Sequence, residues 1–247
     1  MATEGAPAAT APPARPGRAR RALLQICEYG EAILVAVLLA LYSRAFVVQA
    51  FEIPSGSMEE TLLVGDHVIV NKFVHAPHRG PWRSILPYRE VARGEVVVFR
   101  SPERPELDLV KRVVGLTGDT LALTGKRLLR GGRSVPEPYA RFTDPQVLPS
   151  GAAVPEPLRG RDEMAERLVP DGSFFAMGDN RDDSRDSRVF GPVPLRLVKG
   201  RAVVVYWSRR PAGAPPSGRA GGARRLLDAA LHFVERTRWR RTFTLVR

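Results

Sequence analysis

Between residues 51 and 208 the sequence alternates short apolar runs, rich in β-branched residues, with turns of the Gly-Asp, Pro and Gly type. Runs of this kind bounded by turn residues are typical of β-strands. No long stretch here has the 3.6-residue periodicity of an amphipathic helix. The sequence therefore predicts a mainly β domain over 51–208, with strands at 67–74, 95–100, 108–115, 119–123, 127–130, 173–177 and 200–207.

One segment before this domain is apolar enough to suggest a membrane span. Residues 32–42 carry a single hydroxyl as their only polar side-chain atom, and the apolar character continues to about residue 51. About 20 such residues cross a bilayer. We predict an uncleaved transmembrane anchor over 22–50. The alternative is a cleaved signal peptide, with Val48 and Ala50 as the small residues before the cut.

The net charge of +12 lies in the two ends of the chain. Residues 1–21 carry +3 and residues 209–247 carry +8, so 22–208 is close to neutral at +1. Basic ends around an apolar segment indicate contact with anionic lipid rather than with nucleic acid. The positive-inside rule then places the N-terminus in the cytoplasm and the β domain outside it.

The composition of these ends predicts little regular structure. Residues 1–21 are rich in Ala, Pro and Arg without periodicity, which is typical of a disordered basic leader. Residues 209–247 are predicted to form a basic linker and an amphipathic tail. Leucines at helical spacing in 223–238 favour a short helix there, either on the membrane or packed on the domain.

A serine lies in a tight turn directly after the apolar segment. In the sequence IPSGSM at 53–58, Pro54 and Gly56 favour a non-helical turn. Such a turn can hold the Ser57 hydroxyl clear of regular structure, as a nucleophile requires. A simple turn explains the motif equally well when it is taken alone, but its place beside the predicted membrane exit favours catalysis.

A lysine interrupts the apolar run at 109–114. Alternate side chains of a strand share a face, so Lys111 is expected between Leu109 and Val113, with the even-numbered residues on the other face. Loss of hydration there would lower the pKa of Lys111, and a neutral amine can accept a proton from a serine. The alternative is an edge-strand lysine that reaches solvent.

Residues 178–188 form an acid-rich loop after the apolar run 174–177. Its spacing does not fit a calcium loop, because counting from Asp182 puts Ser187 at the glycine position and Val193 at the glutamate position. Interleaved aspartates and arginines predict an internally paired, rigid turn that could support a nearby site. A solvated charged turn is the alternative.

The remaining residues give no sign of a metal or a cofactor. The four histidines form no HExxH motif, and no glycine motif for phosphate binding is present. Cys27 is the single cysteine, which excludes an intramolecular disulfide, and its position at the start of the apolar segment favours a small apolar residue over a catalytic thiol. We expect neither a metal nor a cofactor.

Taken in order, these motifs resemble those of the bacterial type I signal peptidases, also called leader peptidases. Any one block is weak, whereas five in the same order are specific. The similarity covers about 43–208 and rests on residues 54–58, 65–73, 93–99, 111–119 and 178–188. Two departures are Glu60, where the family often has proline, and the basic C-terminal extension beyond the shared core.

The resemblance implies an all-β catalytic core with a smaller β insertion at 120–170, preceded by one transmembrane helix. It implies Ser57 as the nucleophile and Lys111 as the general base. The oxyanion hole would consist of the Ser57 backbone N–H and the Ser55 hydroxyl. The residues that would support the site are Ser184, which would orient the lysine amine, and Asp186 and Arg188, which would brace it.

Seven further residues fall where the family lines two shallow apolar pockets. These pockets would accept small side chains at −1 and −3 of a signal peptide, because an extended peptide places those two side chains on one face. The residues implied for substrate binding are Phe51, Ile53, Pro54, Met58, Leu62, Leu109 and Val110.

The function implied by the resemblance is removal of N-terminal signal peptides from exported preproteins, through an acyl-enzyme on a Ser/Lys dyad. Its expected partners are signal peptides and the lipid bilayer, and not nucleic acid. We expect a monomer in the bacterial plasma membrane, with its catalytic domain outside the cytoplasm.

Three other interpretations compete with this one. A Ser/Lys self-cleaving regulator is disfavoured by the predicted anchor and by the absence of a DNA-binding module in the sequence. A Ser/His signal peptidase of the endoplasmic reticulum type is disfavoured by the lysine at 111. A membrane-tethered binding protein or an inactive homologue is the non-enzymatic alternative.

Overall fold

The computed structural model describes residues 18–42, 48–72, 89–149, 158, 160–210 and 234–246. The chain divides into two compact units, Met1–Arg44 and Ala45–Arg247. The first unit contains helix α1, Arg18–Tyr42. The second contains strands β1 Val48–Glu52, β2 Asp66–Asn71, β3 Val96–Arg100, β4 Asp108–Leu116, β5 Thr120–Thr124, β6 Arg127–Arg130, β7 Arg133–Ser134, β8 Met164–Leu168, β9 Ser173–Met177, β10 Val193–Pro194, β11 Val198–Ser208 and β12 Thr244–Leu245, with the short helix α2 Ser187–Phe190 before β10.

Helix α1 begins earlier than the sequence suggests. Residues 18–21, which composition assigns to a disordered leader, are helical, because arginine, alanine and leucine are strong helix formers and the apolar run extends the helix. Residues 1–17 of the predicted leader lie outside the described residues. Large apolar side chains near its end are exposed, such as Ile33 at 63%. Among the described residues, no helix has the length and apolarity needed to cross a membrane.

Strand β1 occupies the end of the predicted anchor. It pairs antiparallel with β2, from Val48 opposite Asn71 to Glu52 opposite His67. The predicted anchor is therefore wrong at its C-terminal end, since residues 48–50 belong to the sheet. A short apolar run does not distinguish a strand from the end of a helix by periodicity. Here the pairing with β2 makes residues 48–52 a strand.

The main sheet is antiparallel and has eight strands. Seven follow the order β1-β2-β11-β3-β4-β9-β10, and β12 pairs with β11 beside this path. Strand β11 pairs with β2, β3 and β12, and its ladders contain several register shifts. Bulges of this kind bend a strand and increase its twist, which allows one long strand to join several neighbours.

A second sheet has four strands in the order β7-β6-β5-β8. It lies within 120–170, the range predicted for a smaller β insertion. Its apolar side chains pack with residues of the main sheet in one cluster, in which Leu121 and Leu128 meet Phe175 and Met177. The fold is mainly β, and the structure contains all seven of the strands predicted from the sequence, two with the predicted ends and the others with ends shifted by at most three residues.

The end of the chain packs on the β domain. Strand β12 pairs with β11, and Val246 joins the buried cluster that contains Ile53 and Met58. Residues 234–246 of the predicted tail therefore pack on the domain, but β12 and its pairing with β11 were not predicted from the sequence. The amphipathic helix predicted at 223–238 falls largely outside the described residues. The reason for the difference is that a two-residue strand and one buried valine leave no periodic pattern in the sequence.

Candidate active site

The turn predicted to carry the nucleophile follows β1 directly. Gly56–Met58 form a single 3₁₀ turn in which Met58 is buried in the core and Ser57 is 8% exposed. Burial of the methionine anchors the turn, since its side chain packs with Ile53 and Leu62. The Ser57 hydroxyl therefore sits on a fixed backbone at the edge of the core.

Lys111 lies in the middle of β4 and is 3% exposed. Its Nζ atom forms a short hydrogen bond with the Ser57 hydroxyl, across 54 residues of sequence. Burial lowers the pKa of Lys111 from 10.5 to about 8, although the carboxylate of Asp186 acts in the opposite direction. The amine is thus neutral in about one-tenth of molecules at pH 7 and in about one-half at pH 8, and the neutral amine can accept the serine proton.

The faces of β4 agree with the alternation expected from the sequence. Leu109 and Val113 pack in one apolar cluster with residues of β3 and β9, whereas Val110 packs on the cluster that contains Met58. The alternation thus separates Leu109 from Val110, and only Val110 shares a cluster with the nucleophile turn. The apolar surroundings of β4 remove water from Lys111.

The loop after β9 holds the nucleophile turn by backbone contacts. The Asn180 N–H donates to the Ser57 carbonyl at 3.1 Å, and the Asn180 side-chain amide donates to the Gly56 carbonyl at 3.3 Å. Gly178 lies so close that a Cβ atom would come within 2.5 Å of the Ser57 carbonyl oxygen. A glycine is required at 178 because only it permits this approach.

Asp186 and Arg188 form a buried pair beside Lys111. Arg188 donates through Nε and Nη2 to the two oxygens of Asp186, at 2.9 and 2.8 Å, and the Gly178 N–H donates to Asp186 at 2.9 Å. Burial opposes ionisation, but the Arg188 guanidinium and these hydrogen bonds hold the pKa of Asp186 below its usual range. The structure thus places both residues where the sequence predicts a brace.

Ser184 is also near this pair, but no hydrogen bond joins its hydroxyl to Lys111. Its Oγ atom is buried and forms no hydrogen bond of normal geometry with any described residue. It lies near enough to Asp186 to help lower the pKa of that carboxyl. The hydroxyl would also be the first atom met by a Cβ at Gly178. The structure therefore brings Ser184 into the site without a hydrogen bond to Lys111.

Ser55 lies at the edge of the site. Its side chain is exposed, and its Oγ atom is 3.5 Å from Oγ of Ser57. A hydroxyl at this distance and free to rotate can reach an oxygen that develops beside the nucleophile. The structure therefore brings together the two serines from which the sequence predicts an oxyanion hole.

Four of the seven predicted substrate-binding residues share one apolar cluster: Ile53, Met58, Leu62 and Val110. Phe51 lies on β1 opposite Val68 and is half-buried, and Pro54 is exposed. Leu109 is not brought to this group, because it packs in the separate cluster on the other face of β4.

A buried ion pair was not singled out by the sequence. Arg112, next to Lys111, donates through Nε and Nη2 to the two oxygens of Asp179, at 2.8 and 2.7 Å, and both side chains are almost fully buried. Thr61, which follows the nucleophile turn, also donates to Asp179 at 2.5 Å. The arginine beside Lys111 in an otherwise apolar strand is the one sequence signal that could have suggested it.

Metal binding finds no support in the part of the chain that the structure describes, where no group of three His, Cys, Asp or Glu side chains could hold an ion. The acidic side chains of the loop 178–188 pair with cationic side chains of the protein instead. Lys126, in the turn between β5 and β6, donates to Asp182 at 2.8 Å. A mainly β domain that bonds a serine hydroxyl to a buried lysine amine is an arrangement suited to serine peptidase chemistry.

Comparison with known proteins also indicates a peptidase. A family model described as "Signal peptidase, peptidase S26" matches residues 26–207. The chain belongs to this signal peptidase family, peptidase S26. It is 38% identical over 208 residues to Signal peptidase I of Pseudomonas aeruginosa, covering 74% of this chain and 73% of that protein. It is 36% identical over 222 residues to Signal peptidase I of Leptolyngbya laminosa, covering 85% of this chain and 96% of that protein.

Proposed function

We propose that this chain is a serine endopeptidase that removes N-terminal signal peptides from exported preproteins with a Ser57–Lys111 dyad. The observation that carries the proposal is the hydrogen bond between Lys111 Nζ and Ser57 Oγ, made by a lysine that burial keeps partly neutral. The names of the relatives, Signal peptidase I, supply the substrate class.

The dyad would act by acyl transfer. Ser57 Oγ attacks the scissile carbonyl carbon while its proton passes to Lys111 Nζ, and the resulting ammonium protonates the leaving amine as the peptide bond breaks. Water then attacks the ester, with neutral Lys111 again accepting a proton, and the acid product leaves as Ser57 is restored. The developing oxyanion would be bound by the Ser57 N–H and the Ser55 hydroxyl.

Specificity for small side chains at −1 and −3 follows from the apolar cluster beside the nucleophile. Ile53, Met58 and Val110 pack in one cluster, and Ile53 and Met58 are almost fully buried, so a substrate side chain would meet a closely packed surface. An extended peptide lying along the sheet would direct alternate side chains toward this surface. Phe51 and Pro54 would lie at its rim. Leu109 packs on the other face of β4 and is not part of this proposed surface.

Membrane attachment is part of the proposal. Apolar residues over 32–42 leave their side chains exposed on α1, and a soluble protein rarely exposes so large an apolar surface. Arginines at 15, 18, 20 and 21 precede this segment. We infer a cytoplasmic N-terminus and a catalytic domain on the outer face of the bacterial plasma membrane, where the cleavage sites of preproteins emerge.

The test is cleavage of a purified preprotein by the wild-type enzyme and by the Ser57→Ala and Lys111→Ala variants. Each variant should lose at least about 10³-fold in kcat/KM, because each removes one half of the unit that activates the nucleophile. Thr117→Ala is a control, since its exposed hydroxyl contacts only the backbone near β9. Wild-type activity in either dyad variant would refute the mechanism.

A further inference from the structure

The loop 178–181 positions the nucleophile, and a second segment binds this loop. Arg141 donates its N–H to the Asp179 carbonyl at 2.7 Å, and Arg181 donates its N–H to the Arg141 carbonyl at 2.9 Å. These two bonds form a parallel bridge between Arg141 and Asn180, which is the residue that holds the Ser57 carbonyl. Only Asn180 therefore lies between segment 137–141 and the Ser57 carbonyl in this series of hydrogen bonds.

Glu137 fixes the same loop through a buried arginine. Both of its carboxylate oxygens accept from Arg181, at 2.6 Å each, and the Arg181 Nε donates to the Gly178 carbonyl at 3.0 Å. Both side chains are buried. A paired guanidinium in this position closes the turn from 178 to 181, whereas an unpaired one would be a costly buried charge.

Tyr139 connects this segment to the strand of the general base. Its ring lies 4.1 Å from the Cζ atom of Arg112 and 6.0 Å from that of Arg181. Arg112 is the neighbour of Lys111 and the partner of Asp179. Burial, with the nearby Glu137, raises the pKa of Tyr139 to about 12, so the ring stays neutral and serves as a face for cations.

We propose that segment 137–141 is a positioning element of the active site, with Tyr139 and Glu137 as its positioning residues. Tyr139 holds Arg112 against Asp179, and Glu137 holds Arg181 against Gly178. Together they set the distance between the lysine strand and the loop 178–181, which holds the turn of Ser57. This inference rests on the proposed Ser57–Lys111 dyad and assigns a role in catalysis to residues that contact neither substrate nor the reacting atoms.

The test compares Tyr139→Leu with Tyr139→Phe in full-length enzyme acting on a preprotein. Leucine removes the aromatic face, whereas phenylalanine keeps it and loses the hydroxyl with its 3.3 Å hydrogen bond to Glu137. We expect Tyr139→Leu to lower kcat about tenfold with a change in KM below about twofold, because sub-ångström displacement of reacting groups slows chemistry more than binding. We expect Tyr139→Phe to restore kcat to within about twofold of wild type.

Phe142→Leu is the matched control, because this aromatic residue directly after segment 137–141 faces Lys126 at 5.6 Å and not Arg112. It should keep kcat within about twofold of wild type. Glu137→Gln preserves the shape of the side chain and weakens its ion pair with Arg181, so it should lower kcat about threefold. This variant provides the test if Tyr139→Leu yields too little folded enzyme. Activities are compared per folded molecule, determined by active-site titration or by circular dichroism.

Two outcomes would overturn the inference while leaving the dyad intact. The first is wild-type kcat in both Tyr139→Leu and Glu137→Gln. The second is an equal loss of kcat in Tyr139→Phe, Tyr139→Leu and Phe142→Leu, which would indicate a general effect on packing. Activity in Ser57→Ala measured alongside would instead refute the proposed function itself.

Discussion

At the scale of single residues, the reactivity of Lys111 depends on what surrounds it. Burial lowers its pKa to about 8, Asp186 raises it, and Arg188 lowers it again. The buried pair of Asp186 and Arg188 is nearly neutral as a unit, so its two effects oppose each other and the loss of hydration decides the result. A carboxylate left without its arginine would keep Lys111 protonated.

This balance predicts the pH dependence of cleavage. With a pKa of about 8, the neutral fraction of Lys111 rises from about one-tenth at pH 7 to about one-half at pH 8. The kcat/KM for a preprotein should therefore increase about fivefold from pH 7 to pH 8 and less than about twofold from pH 8 to pH 9. A lysine with its ordinary pKa would give a tenfold rise in each unit.

The Arg188→Gln variant is informative in the same assay. It removes a cation and exposes Lys111 to the carboxylate of Asp186, so the midpoint of the pH profile should shift upward by about one unit. An unchanged midpoint in a folded Arg188→Gln enzyme would contradict the electrostatic argument. Thermal unfolding should be measured in parallel, because a buried carboxylate that loses its partner also destabilises the fold.

Gly178 gives a second prediction at this scale. A Cβ at this position would overlap both the Ser184 hydroxyl and the Ser57 carbonyl, so Gly178→Ala must push the nucleophile turn away from Lys111. We expect a loss of at least about 10²-fold in kcat, with a fall of about 1–3 kcal/mol in the free energy of unfolding. Preprotein cleavage and urea unfolding measure the two effects.

Gly200→Ala is the matched control for this variant. Its Cβ would overlap the Asn71 carbonyl oxygen in the sheet, at a contact that involves neither member of the dyad. It should therefore destabilise the protein by a similar amount and keep kcat per folded molecule near that of wild type. Equal kcat losses in the two variants would show that overlap in the sheet alone impairs the enzyme.

Much of the site could be predicted from the sequence, but only its local parts. The turn of Ser57 and the apolar strand of Lys111 are visible as short patterns, and their order indicated the family. Tyr139 was missed because its stacking on Arg112 joins residues from different strands and loops, and nothing in the residues around Tyr139 encodes it. Contacts made only by the tertiary fold have no local periodicity to read.

At the scale of elements, the C-terminal strand completes the core beneath the nucleophile. Val246 is 7% exposed and packs in the cluster of Met58, while its neighbour Leu245 is 58% exposed. Arg241 joins the same region by donating to the Asp66 carboxylate at 2.7 Å and to the Thr61 carbonyl at 2.9 Å. The last described residues therefore support the segment that follows Ser57.

This arrangement predicts a difference between two neighbouring substitutions. Val246→Ala should lower the free energy of unfolding by about 2 kcal/mol, because it removes two buried methyl groups from a packed cluster. Leu245→Ala should change it by less than about 0.5 kcal/mol, since its side chain is in solvent. Urea unfolding of both variants gives the comparison, and equal values would contradict the packing of β12.

The strands that could be predicted are those with several β-branched residues and turns on both sides, such as β3 and β4. The strands that could not are β1, whose apolar residues continue the pattern of the helix, β8, which contains the charged residues Glu166 and Arg167, and the two-residue strands β7, β10 and β12. Pairing with a neighbour, rather than propensity, makes such short segments strands. The position of the end of the chain depends on the same long-range pairing.

At the scale of the whole molecule, the chain divides into two units, and the proposed function assigns attachment to one and catalysis to the other. Every residue of the proposed dyad and of its supports lies in Ala45–Arg247, and helix α1 lies in Met1–Arg44. Net charge does not follow this division, because residues 22–208 carry only +1 of the +12 and the basic residues 209–247 belong to the second unit. Hydropathy predicts a separate N-terminal segment from the sequence, but not its boundary, which β1 moves toward the helix.

This division predicts how residues 45–247 behave without the first unit. The core clusters belong entirely to the second unit, so this fragment should unfold with the same urea midpoint as the full chain. It should cleave a soluble peptide substrate with kcat/KM within about twofold of the full chain. On a preprotein held in lipid vesicles it should be slower by at least about tenfold, because attachment to the same membrane raises the effective concentration of enzyme near its substrate.

Detergent separates the two explanations for a slower fragment. When the same preprotein is released from vesicles into detergent micelles, both proteins meet it from solution, and the difference between them should fall to about twofold. A deficit that persists in detergent, or that already appears with the soluble peptide, would mean that Met1–Arg44 contributes to the active site itself. The disappearance of the deficit would assign to the first unit a role in bringing the enzyme to its substrate, and would leave the chemistry to Ser57 and Lys111.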